Sequence, residues 1–248
     1  MTDDTVPRLE NLDLTLLANF VHQVVNPLNG VAGTLDNLID GTIQEDRREQ
    51  RTIAARAQLE RCIALVRNLA FLVSDPSAPL DEELRIVTLP QVIIESAMFY
   101  QEEGATRRVS IFLEDRRTQN KVRAHPELIR QVLMNIFDNC IKYSKFGSQV
   151  TVKQWIQSNT NTAIVTVRSE PERPIDSDEM NKIFGLGFRG SNAKEIIASG
   201  TGLGLYICKQ LVEIKHGGVL SCQNDKDGIL FTIRLPEGIP EENGKNNR

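Results

Sequence analysis

The chain has 248 residues, 29 of them basic and 33 acidic, and 40% of it is hydrophobic. That much apolar material fills one large core or two modest ones and excludes a chain disordered throughout. The formal charge of -4 is spread along the sequence rather than blocked, which argues against a nucleic-acid partner.

Cys62, Cys140, Cys208 and Cys222 lie far apart without a C-x-x-C pair. They read as reduced thiols used as small apolar residues, not as zinc ligands or disulfides. No apolar run approaches the ~20 residues that span a bilayer. The start Met1-Thr2-Asp3-Asp4 lacks the basic opening of a signal peptide. The expectation is a cytoplasmic chain with no membrane span.

From Leu17 the apolar residues recur as Leu17, Val21, Val24, Leu28, Val31, Leu35 and Leu38, steps of four and three that mark one seam of a bundled helix. A second seam runs through Ala55, Leu59, Cys62, Val66, Leu69 and Val73, with a turn near 41–46 between the two. Residues 8–75 are therefore a predicted helical hairpin. A hairpin with one apolar stripe per helix cannot enclose a core alone, so two hairpins are expected to pair as a four-helix bundle in a homodimer.

Residues 76–84, with Pro79 and several acids, read as a linker. Beyond it, strand-like runs at 85–89, 109–113, 150–156, 163–167, 219–222 and 229–235 are interspersed with helix-like runs at 91–102, 126–143, 178–183 and 203–216. This pattern predicts an α+β two-layer sandwich over 85–236 with helices on one face of a mixed sheet. The tail, 237–248, is rich in Gly, Glu and Asn and is expected to be disordered.

Three clusters carry candidate chemistry. His22 follows the seam residue Val21 and shares a solvent-facing stripe with Asn26 and Asn29; by itself such a residue is a surface histidine. Pro27, one turn on, removes a helical hydrogen bond at about 3 kcal/mol and marks a place where a partner can approach backbone, or a kink kept for packing. Asn135, Asn139 and Lys142 share one helix face. Their carboxamide oxygens suit magnesium with phosphate oxygens and the ammonium suits a phosphate, while the bland alternative is a solvated polar face. Gly200-Thr201-Gly202-Leu203-Gly204-Leu205 runs straight into a helix, where N–H groups meet an anion, or else simply turns the chain. By contrast, Gly185-Leu186-Gly187-Phe188-Arg189-Gly190 fits the dinucleotide pattern in letters only, since no strand precedes it and no helix is predicted to follow.

The stretch from Asn19 to Gly30, with His22, Asn26 and Pro27, resembles the phosphoacceptor motif of two-component sensor histidine kinases. Asn135 to Ser144 is similar to that family's asparagine motif, Ile183-Phe184 with Phe188-Arg189-Gly190 to the hinge of its ATP lid, and Gly200 to Gly218 to its second glycine box. The resemblance covers roughly residues 10–235 in the family's order. It implies a GHKL (Bergerat-type) ATP-binding sandwich after the hairpin, with ATP and Mg²⁺ as cofactors. It also implies autophosphorylation of His22 and transfer to an aspartate of a response regulator. Carried over residue by residue, Asn139 ligates the metal, Asn135 assists, Lys142 and Arg189 reach phosphates, Tyr143 flanks the nucleotide, and Gly200, Thr201, Gly202, Leu203, Gly204 and Leu205 cradle phosphates. Asn26 matches the residue that positions a hydrolytic water in members that dephosphorylate their regulator.

The chain departs from the family pattern twice. Gln23 stands where an acidic proton acceptor is usual, and an amide orients an imidazole without taking its proton. After the strand ending at Val167 the family has an aspartate, which binds the adenine amine, and two glycines; here the chain reads Arg168-Ser169-Glu170-Pro171-Glu172-Arg173-Pro174-Ile175, and Glu170 is the expected substitute. A degenerate kinase serving as phosphotransfer or phosphatase module stays open. A GHKL ATPase driving shape changes does not, because it needs a glutamate base where Asn135 stands.

Overall fold

The computed structural model describes residues 14–73, 83–197, 200–226 and 228–241. Helices α1 (Leu14–Ile39) and α2 (Glu45–Val73) come first and pack along each other, α1 running through Pro27 without a break. Between them Gly41 takes φ 68° and the Thr42 hydroxyl donates to the Asn37 carbonyl. Ala55 and Cys62 are buried between the two helices, whereas Val21, Leu28, Leu35, Leu59 and Val66 remain 39% to 49% exposed. Half of each predicted seam is thus unburied within one chain. Residues 76–82 of the predicted linker lie outside the described residues. Among the described residues no helix is long and apolar enough to cross a membrane.

The second part is a two-layer sandwich, as the sequence predicts. It contains β1 (Arg85–Thr88), α3 (Leu89–Met98), α4 (Gln101–Arg107), β2 (Ser110–Leu113), β3 (Lys121–Ala124), α5 (Pro126–Tyr143), β4 (Gln149–Gln157), β5 (Thr162–Ser169), α6 (Ser191–Ile196), α7 (Gly204–His216), β6 (Val219–Asp225), β7 (Gly228–Leu235) and β8 (Gly238–Ile239). The main sheet runs β2-β4-β5-β7-β6, parallel only between β2 and β4. Alternation puts Val150, Val152, Ala163, Val165, Val167, Phe231 and Ile233 in the core. On the other face Lys153, Thr166, Thr232 and Ser221 align across four strands, the polar side of a sheet covered on one face only. Helices α3, α5 and α7 supply the covering layer: Val132, Ile136 and Phe137 of α5 and Ile207 and Leu211 of α7 are fully buried.

Several local expectations are corrected. The helix predicted over 91–102 is two helices, because Tyr100 turns into the core and donates its hydroxyl to the Met134 carbonyl at 2.7 Å. The predicted helix at 178–183 is a run of turns, closed by bonds from Glu179 to Asp176 and from Lys182 to Glu179; six residues form too few ladder bonds to offset nucleation. Helix α6 occupies part of the stretch read as an irregular lid. Strand β3 escaped notice because Lys121 and Arg123 mask a four-residue alternation in which only Val122 and Ala124 are buried. The tail does not begin at 237: β8 pairs with β3, and the Gly238 amide donates to the Asn161 carbonyl at 2.6 Å. Residues 242–248 lie outside the described residues.

The last turns of α2 lie on the sandwich. Arg61 pairs with Glu103 and its guanidinium stands 6.0 Å from the Tyr100 ring centre, and Arg67 pairs with Glu127 at 2.8 Å. Between these ion pairs Asn68, 3% exposed, accepts from Gln131 at 2.6 Å and exchanges hydrogen bonds with Asn135 at 3.0 and 3.2 Å. Truncating Leu211 to Ala should cost the sandwich about 2–5 kcal/mol in urea unfolding, the usual range for a closely packed Leu. Asn68→Ala leaves two buried amides without this acceptor. Hydrogen exchange should show the end of α2 opening more easily by about 1–3 kcal/mol, with β5 and β7 unchanged.

Candidate nucleotide and phosphoryl-transfer site

One cleft gathers most of the chemistry-bearing residues. Its floor is α5, whose apolar side is locked into the core, so that the residues three and four apart on its other side are held in place. Asn135, Asp138, Asn139, Lys142 and Tyr143 all line the cleft. Their roles differ. The Asn135 carboxamide is consumed by Asn68 and by the Gly204 carbonyl at 3.4 Å. The Asn139 carboxamide engages no other group among the described residues. Burial disfavours the charge on Lys142, but the Asp138 carboxylate at 2.5 Å more than offsets this and holds the ammonium pKa above its ordinary value.

Opposite α5, the segment Gly200–Leu205 enters α7. Gly202 has φ 68°, and a Cβ there would stand 2.6 Å from the backbone of Gly187, so only glycine lets the two glycine segments touch. Gly200, Thr201, Gly202, Gly204 and Leu205 line the cleft with the open N–H end of α7 beside them. Leu203 does not: its side chain is 1% exposed and belongs to the core.

Several charged groups on the lid side are already engaged. Arg173 pairs with Glu195, and Glu179 accepts from the Ser191 amide at 3.0 Å. Arg189, expected to reach a phosphate, lines the cleft and donates to the Ala193 and Ile197 carbonyls, so capping the end of α6. Glu170, expected at the base of a nucleotide, does not line the cleft. Its neighbours Ser169 and Pro171 line it, and strand alternation turns Glu170 outward, with its carboxylate 3.8 Å from Arg168. Ser169, which the sequence reading passed over, is 4% exposed and lines the cleft with Cys140; burial pushes the Cys140 thiol up to about 12, partly offset by the Ser169 hydroxyl. Counting alternate residues from Val165 and Val167 would have found it.

From the hairpin, Gln23, Leu65 and Asn68 reach the cleft. His22 and Asn26 are exposed on α1 and do not line it. The structure therefore brings the asparagine face, the glycine turn and Gln23 together and leaves the histidine ring outside. Asn68 carried no signal in the sequence, being one polar residue between seam positions.

Residues 124–239 match the family described as histidine kinase-, DNA gyrase B-, and HSP90-like ATPase. The chain is 26% identical over 223 residues to the sensor histidine kinase ZraS of Salmonella typhimurium, covering 89% of this chain and 45% of ZraS. It thus spans less than half the length of that curated relative. Among solved structures, the mycobacterial sensor histidine kinase MprB is 26% identical with TM-score 0.53, covering 63% of this chain and 99% of that one. The histidine kinase ThkA, solved in complex with the response regulator protein TrrA, shares the fold at 20% identity and TM-score 0.54, covering 90% of this chain and 61% of ThkA. An ATPase domain matching that family over residues 124–239, a helical hairpin before it and similarity to sensor histidine kinases along nine-tenths of its length together support a two-component histidine kinase catalytic core.

Proposed function

We propose that the chain autophosphorylates on His22 with ATP and passes the phosphoryl group to an aspartate of a response regulator. The observation that carries this reading is the unengaged carboxamide of Asn139, set across the cleft from the glycine turn and the N-terminus of α7. That arrangement suits a triphosphate: backbone N–H groups take its oxygens, and one carboxamide oxygen suffices for magnesium, which keeps most of its ligands as water and phosphate. Asn139 would hold the metal, which when bound neutralises phosphate charge. Asn135 acts indirectly, fixing the Gly204 end of the glycine turn through its amide. Tyr143 borders the nucleotide and Lys142 contributes positive charge already balanced by Asp138.

In the transfer step a ring nitrogen of His22 attacks the γ-phosphorus, the bond to the bridging oxygen breaks and ADP leaves. The exposed His22 must first enter the cleft that Gln23 already borders. Gln23 can orient the imidazole, and the released proton goes to water because an amide does not accept it. Two hairpins paired through Val21, Leu28, Leu35, Leu59 and Val66 would bury the open seam, which favours a homodimer. A response regulator as partner is supported by the ThkA complex with TrrA.

A second reading has its own observation. Asn26 is exposed one turn beyond His22, where a carboxamide can hold a water against a phosphorylated regulator. The stretch Arg168 to Ile175 holds no glycine where the family has two. A module that dephosphorylates or relays phosphate with little use of ATP fits these features.

With γ-labelled ATP and magnesium, the wild type should acquire an acid-labile, alkali-stable label. His22→Ala should abolish it and leave nucleotide binding intact, while Asn139→Ala should abolish it by weakening metal-nucleotide binding. Full labelling of either variant removes the corresponding assignment. Gln23→Glu should speed labelling without tightening ATP, by up to the ~10² that general-base help contributes. An unchanged rate would mean that proton acceptance at this position does not limit transfer.

A further inference from the structure

The cleft has a polar end and an apolar end. The glycine turn meets α5 at Asn135, through the hydrogen bond to Gly204. Five residues further along the same helix, about 7.5 Å at 1.5 Å per residue, Cys140 lines the cleft together with Ser169. That separation leaves room for a ribose between phosphates at the first point and a base at the second. Around Ser169 the walls are Ile175, Ile229, Phe231 and Pro171, flat or branched apolar groups that suit the faces of a heteroaromatic ring.

The acids around the cleft are committed elsewhere: Asp138 to Lys142, Glu179 to the Ser191 amide, Glu170 outward beside Arg168. Ser169 is then the buried polar side chain at the floor of the apolar end. We infer that Ser169 reads the edge of the base, and that the site takes purine nucleoside triphosphates bearing a 6-amino or a 6-carbonyl group with similar affinity. The inference rests on the cleft being a nucleotide site.

The reason is the hydrogen-bond inventory. A carboxylate only accepts, so it pairs with an amine and leaves a carbonyl facing it unpaired in a dry pocket, which is what makes such a site selective. A hydroxyl rotates. It accepts from the adenine amine or donates to the guanine carbonyl, so neither base leaves it unpaired.

The test is competition of ATP and of GTP against a fluorescent ATP analogue on the full chain with magnesium. Wild type, Ser169→Ala, Ser169→Thr and Ser169→Asp are compared, each checked for folding by thermal melting. Wild type should bind ATP and GTP within about fivefold of each other. Ser169→Ala should weaken both alike by about fivefold, the effect of one neutral hydrogen bond, and Ser169→Thr should retain the wild-type ratio. Ser169→Asp should favour ATP by about tenfold or more. If the buried carboxylate prevents folding of the Asp variant, the Ala and Thr variants decide. A wild-type preference for either nucleotide beyond about tenfold, or unchanged affinities in Ser169→Ala, overturns the assignment of Ser169 while leaving the nucleotide site standing. Binding of neither nucleotide by the wild type overturns the nucleotide reading and this inference with it.

Discussion

Everything in the cleft depends on how α5 is wedged between the sheet, α3 and α7. Val132, Ile136, Phe137 and Ile141 on its inner side are at most 1% exposed, and each sits against several elements at once. Rotating the helix by a single residue would move these side chains about 100° out of the core and expose or misplace a large apolar area. The same constraint therefore fixes Asn135, Asn139 and Lys142 without any contact of their own being needed. Asn139 can remain unengaged because hydrophobic burial on the opposite side of the helix does the positioning. A ligand that meets it encounters a preorganised oxygen rather than one that must be ordered on binding.

The contact between hairpin and sandwich is of another kind. It rests on carboxamides and ion pairs: Asn68 with Gln131 and Asn135, Arg67 with Glu127, Arg61 with Glu103. Exposed ion pairs contribute little each, and carboxamides that lose one another can bond to water once the interface opens. Such a contact is specific in geometry but weak in free energy, the combination a movable domain requires. Its position matters too. Asn135 hydrogen-bonds Asn68 on one side and the Gly204 carbonyl on the other, a physical link between hairpin and glycine turn. In the arrangement seen, Gln23 borders the cleft and His22 does not, so the proposed transfer would require a shift of α1 along or around its axis.

How much of this was legible in the sequence follows from which signals are periodic. The hairpin seams, α5, α7 and the longer strands repeat apolar residues over several turns or pleats, and they were read correctly as elements. The turns at 178–183, α6, β3 and β8 are two to six residues long, and nothing that short establishes a period. In the site, the glycine turn and asparagine face were visible because backbone and helix geometry demand those residue types. Glu170 is the substitute expected from the sequence because a carboxylate looks like a good replacement for a carboxylate, and Ser169 was passed over. The register of β5 overrules that chemical preference: Val165, Val167 and Ser169 point inward together, and no choice of residue at 170 would change its side. Arg189 does line the cleft, and its hydrogen bonds to the carbonyls ending α6 could not have been read from the sequence.

The two departures from the family pattern act on different steps, and their combination narrows what the chain can be. Ser169 in place of a carboxylate bears on which nucleotide is held; Gln23 in place of an acid bears on how fast a held nucleotide gives up its phosphoryl group. Neither touches Asn26, and neither alters the exposed histidine that a regulator's aspartate would approach. If the proposed function holds, substitutions that spare the regulator-facing side of α1 and change only the donor side would shift the balance away from phosphorylation and toward removal of phosphate. With the glycine turn lining the cleft and an Asn139 carboxamide that engages no other group among the described residues, that shift would be one of degree.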